Sequence, residues 1–205
     1  MKIDKSIKII QSTKKRLNKM MEDKTNVFLA EFVDELKKGE ANAVRTIKKA
    51  LFNGDIEQVM DFVYKKDNYI ISYLRPKNAE KLIENYKKVD GLNLKIYPKL
   101  KKIIKNDDGS LFFVSKINSQ NKTNVKSFWR EPYQNIPKKN IASAYDDLKK
   151  MTNAGYKDSS LFNYDECWQL TDNNEIIIPS LYNIEPCLNL EKENIISSYY
   201  KILFR

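Results

Sequence analysis

Residues 155–163 read GYKDSSLFN. They follow KKNIASAYDDLKKMTNA (138–154), where Ile141, Ala144, Tyr145, Leu148 and Met151 recur at helical spacing and Gly155 supplies the stop. They precede CWQLTDNNEIIIPSL (167–181), which reads as a hairpin turning on Asp172, Asn173 and Asn174. Asp158 thus stands five places before Asn163, between a helix and a hairpin. The spacing alone decides nothing, because Asp and Asn also satisfy their own backbone in turns. The order of elements around it carries the information.

Upstream, three helical patterns open the chain, over 3–22, 26–37 and 40–52. The texture changes at LFNGDIEQVMDFVYKKDNYIISYL (51–74), where β-branched and aromatic pieces around the turn signal KKDN predict strands. PKNAEKLIENYKKV (76–89) then predicts a helix with Ala79, Leu82, Ile83 and Tyr86 inward. Two apolar runs joined by NDDG (106–109) predict a hairpin. Residues 118–137 read as a polar connector, and LEKENIISSYYKILFR (190–205) as a last helix. Strands, helix, hairpin, connector, long helix, loop, hairpin and helix make an α+β arrangement. We read it as a helical N-terminal segment (1–50) and an α+β domain (51–205), with one compact unit as the other division.

Composition narrows the chemistry. The chain has 205 residues, 41% of them hydrophobic and 31% charged, which predicts a folded protein with a sizeable core. There is no histidine, so Ser-His-Asp and Cys-His mechanisms are excluded and acid–base work falls to Asp, Glu, Lys or Tyr. The two cysteines, Cys167 and Cys187, are too few for a Cys/His zinc site and read as reduced thiols. The N-terminus lacks the apolar stretch of a signal peptide, and no run approaches a membrane span. A cytoplasmic location is the expectation, including a host cytoplasm reached by dedicated secretion.

The element order and the residues at its joints resemble the protein-kinase-like fold, over about residues 50–185. GYKDSSLFN is similar to the kinase catalytic loop H-R-D-x-x-x-x-N. Tyr156 and Lys157 stand for its His and Arg, Asp158 for the catalytic Asp and Asn163 for the metal-binding Asn. NGDIEQV (53–59) looks like a degenerate glycine-rich loop, with Gly54 and Val59 matching. Glu84, on the helix after the first strands, stands for the ion-pairing Glu. The resemblance implies a small antiparallel sheet, following helices and a C-terminal lobe cut short. It also implies ATP and magnesium as cofactors if the site works.

Two departures bear on that condition. Ser72 occupies the expected place of the phosphate-binding Lys, and Pro179, Ser180 and Leu181 replace the Asp-Phe-Gly magnesium motif. Electrostatic stabilisation dominates phosphoryl transfer, so these losses imply a pseudokinase with weak or absent transfer. Such a protein binds a protein partner and needs no cofactor. Small kinase-like proteins of this sort occur in viruses and among bacterial secreted effectors.

Two other readings stand beside it. Lys and Arg exceed Asp and Glu by 37 − 27 = 10, an excess suited to nucleic acid. Lys14, Lys15, Arg16 and Lys19 on the first helix, with Lys99, Lys101 and Lys102 in the second basic run, would meet phosphates. The last reading is an inhibitor or immunity-type interaction protein of new α+β fold. Its anchor would be FWREPY (128–133), which carries the aromatics and Arg that interfaces favour.

Overall fold

The computed structural model describes residues 19–20, 22–119, 123–179 and 183–204. The first predicted helix lies almost wholly outside them. The second and third appear as α1 (22–36) and α2 (Glu40–Phe52). Next come β1 (Glu57–Met60), β2 (Val63–Lys66), β3 (Tyr69–Leu74), α3 (Ala79–Gly91), β4 (Lys99–Lys105) and β5 (Leu111–Lys116). The five strands form one antiparallel sheet in the order β1-β2-β3-β5-β4. The architecture is mixed α+β, built on a small antiparallel sheet.

Turn chemistry sets the register. The β2–β3 turn places Asp67 at φ 52, and the β4–β5 turn places Gly109 at φ +83, left-handed positions that Asp and Gly adopt most easily. Asn78 caps α3 by accepting from the Lys81 N–H at 3.0 Å.

β5 reads LFFVS without alternation because both of its faces are buried. Phe112 and Val114 join Ile71 and Ile104 beneath Leu29, Phe32, Val33 and Leu36 of α1 and Ala43 and Ile47 of α2. Leu111 and Phe113 turn the other way, toward Leu82, Tyr86 and Val89 of α3. The N-terminal helices therefore share a core with the sheet.

The remaining chain completes the larger core. It contains β6 (Val125–Ser127), α4 (Lys138–Asn153), β7 (Tyr156–Asp158), β8 (Gln169–Thr171), β9 (Ile176–Ile177), β10 (Ile184–Pro186) and α5 (Lys192–Leu203). The polar connector contains a strand after all, since β6 pairs with β8 in a second sheet, β6-β8-β9. β7 and β10 form a two-stranded sheet with Asp158 opposite Ile184.

Phe112 is fully buried and its ring lies 5.1 Å from that of Tyr73. Phe112→Ala should cost about 3–5 kcal/mol in urea unfolding, with the denaturant slope unchanged. A loss under about 1 kcal/mol would mean that α1 and α2 do not pack on the sheet in solution.

Candidate functional site

Asp158 is where the chain leaves α4. Gly155, at φ +89, makes the left-handed reversal after the helix, and its N–H donates to the Thr152 carbonyl at 2.9 Å. β7 follows for three residues and ends in Asp158. The carboxylate then caps a 3-10 turn, Ser159–Phe162, with Oδ1 accepting from the Ser160 N–H at 3.1 Å and from the Ser160 hydroxyl. The Tyr97 hydroxyl donates to Oδ2 at 3.3 Å. Trp168 Nε1 donates to the Leu161 carbonyl at 3.1 Å, and the Phe162 ring stacks on Tyr199 at 5.0 Å. The loop is held on both sides.

This carboxylate is fully buried. Burial pushes its pKa up to about 6, with the hydrogen bonds from Ser160 and Tyr97 opposing the rise. Cys167 lies beside it, and burial pushes that thiol up to about 12. Both cysteines are free thiols, as expected. Tyr97 and Tyr199 are raised by burial, and the buried Tyr199 hydroxyl lies against Asp158, whose backbone opposes the rise.

The other residues assigned by the resemblance are dispersed. Asn163 is exposed, and its Nδ2 donates to the Ser159 carbonyl at 3.0 Å. Asp158 and Asn163 therefore do not face one cleft. Ser72 is 3% exposed, on the β3 face that looks toward α3. Glu84 pairs with Lys88 of its own helix at 2.6 Å and leaves the sheet alone. Asn85 turns inward instead, donating to the Ile184 carbonyl at 3.1 Å.

Gly54, at φ +72, ends α2, and Val59 lies at a bulge in β1. The β1–β2 connection is Asp61-Phe62, without glycine. Pro179 is buried, and Ser180 and Leu181 lie outside the described residues. Among the described residues, those that would hold ATP and magnesium do not converge, since Asp158 and Ser72 are buried, Asn163 bonds its own turn and Glu84 its own helix, and they do not fit that cofactor.

Sequence reading missed Lys65. It is fully buried on β2, and its Nζ pairs with Glu57 Oε1 at 2.6 Å. The available signal was period two, which puts Lys65 on the same face as buried Val63. The underside of β1–β3 is thus filled by Met60, Val63, Lys65, Ile70, Ser72 and Leu74, each 9% exposed or less.

Of the basic candidates, Lys14, Lys15 and Arg16 lie outside the described residues. Lys19 is exposed. Lys99 is committed to Asp90 at 3.0 Å, whereas Lys101 and Lys102 are exposed on the edge strand β4. FWREPY splits, with Phe128 fully buried and Arg130 exposed. Among the described residues, no helix is long and apolar enough to cross a membrane. No protein-family model, curated protein or solved structure matches the chain.

The raised pKa fixes the sign of a pH effect. The folded state binds the Asp158 proton more tightly than the unfolded state, so this group's contribution is full below about pH 4 and is lost as pH rises through about 6. The loss is on the order of 3 kcal/mol. Asp158→Asn keeps an oxygen acceptor for Ser160 and turns its Nδ2 to the Tyr97 hydroxyl, which can accept from it, so it should flatten that slope and match or exceed the wild-type stability at pH 7. Urea midpoints from pH 4 to 7 measure this, and an unchanged slope would refute it.

Proposed function

We propose that the protein is a kinase-like scaffold that acts by binding a protein partner and not by transferring phosphate. The order of elements supports the kinase-like part. A five-stranded antiparallel sheet with one helix between its third and fourth strands comes first. A long helix, an Asp-bearing loop and a hairpin follow. This is the order in which kinases place their Gly-rich loop, phosphate-binding strand, ion-pairing helix and catalytic loop.

The observation that carries the non-catalytic part is the full burial of Asp158. A catalytic carboxylate must reach the attacking hydroxyl. Here both carboxylate oxygens are occupied by Ser160 and Tyr97 inside the core. Ser72 supplies no cation at the third strand, and Lys65 on the neighbouring strand is buried and paired with Glu57. Viral and secreted-effector settings remain expectations from the resemblance. The nucleic-acid reading stands second, because Lys99 is paired while Lys19, Lys101 and Lys102 remain as its described support.

The test has two parts. Radiolabelled ATP with magnesium should leave no phosphate on the protein or on a general acceptor, and saturating ATP should not shift the melting temperature. Affinity capture should then recover the same partner with wild type and with Asp158→Asn. Phosphate transfer abolished by Asp158→Ala, or capture that depends on ATP, would overturn the proposal.

A further inference from the structure

A cavity of about 740 Å3 opens between the β1–β2 turn, the start of α3 and the segment around β10. Asp158 does not line it, although Cys167 and Ile184, which adjoin that residue, do, and nothing in its lining requires the scaffold to be kinase-like. Its volume is in the usual range for small-ligand sites. The floor is apolar, formed by Leu74, Leu82 and Ile184, all at most 9% exposed. Two aromatic rings stand at the rim from opposite halves of the molecule. Phe62 is 55% exposed and Tyr164 is 51% exposed. Half-exposed rings over an apolar floor offer a slot for a flat apolar body.

Charge gives the slot a direction. Lys77 and Lys81 lie together at the α3 end, and neither has an ion-pair partner among the described residues. Arg75 stands beside them, paired with Glu40 at 2.9 Å. The Lys81 N–H is already taken by Asn78, so the lysine ammonium groups carry the preference for an anion, not the helix terminus. Acidic residues line the cavity as well. Glu185 is held by Lys157 at 3.6 Å, and Glu166 and Asp61 also line the cavity. An anionic head is therefore favoured beside Lys77 and Lys81.

We propose that this cavity binds a small organic anion, with a ring-bearing apolar body between Phe62 and Tyr164 and a carboxylate or phosphate head on Lys77 and Lys81. Amide-resolved NMR titration of the full chain tests it, using phenyl phosphate, phenylacetate, benzylamine and inorganic phosphate as probes. Phenyl phosphate or phenylacetate should shift the amides of Phe62, Lys81 and Tyr164, and whichever binds tighter identifies the head group. Benzylamine, with the same ring and opposite charge, and inorganic phosphate, with no ring, should each bind at least about tenfold more weakly.

Lys77→Gln with Lys81→Gln should weaken the anionic probe by about tenfold while leaving the remaining spectrum in place, because both side chains are exposed. The proposal fails if neither aromatic anion shifts these amides. It also fails if benzylamine or inorganic phosphate matches the aromatic anions, or if the double variant binds as wild type does.

Discussion

The segment between α3 and β4 is the constraint on which the two halves of the molecule depend. The Ile96 N–H donates to Asp147 Oδ2 of α4 at 2.8 Å, and the Ile96 carbonyl accepts from the Ile178 N–H at 2.8 Å. The next side chain, Tyr97, reaches Asp158. Three contacts from two adjacent residues thus tie the five-stranded sheet to the long helix, to the end of the second hairpin and to the Asp158 loop. All run through groups that would otherwise be buried without partners, where each missing hydrogen bond costs about 1–3 kcal/mol. The loop geometry follows from this tie as much as from its own residues.

That dependence changes the meaning of an Asp in a loop of kinase-like spacing. An active phosphoryl-transfer site needs a carboxylate at the cleft, a cation on the third strand and an amide facing the metal. Here the carboxylate is an internal acceptor, the third strand offers a buried serine, and the amide caps its own turn in solvent. Each residue has a local structural duty that competes with the chemical one. A scaffold with these commitments can hold a shape while presenting other surfaces.

Much of the fold was legible from periodicity and turn chemistry. KKDN, NDDG and DNN all fall at hairpin turns, and α3, α4 and α5 stand where their apolar stripes put them. The strands β6, β7 and β10 were not legible, because three residues cannot show a period and their pairing is long-range. Gly54 looked like part of a phosphate loop because a glycine after an apolar run serves a helix stop equally well. Lys65 was passed over because lysine is rarely buried. The burial of Asp158 comes from Tyr97 and Tyr199, far away in sequence, so no reading of the loop by itself could foresee it.

The central claim is that Asp158 is a sealed structural acceptor. Following its carboxyl carbon by NMR across pH, with and without ATP and magnesium, tests this most directly. The account predicts a titration near pH 6 that nucleotide and metal leave unmoved. An ordinary carboxylate titration near 4, or a midpoint that moves when ATP and magnesium are added, would contradict it.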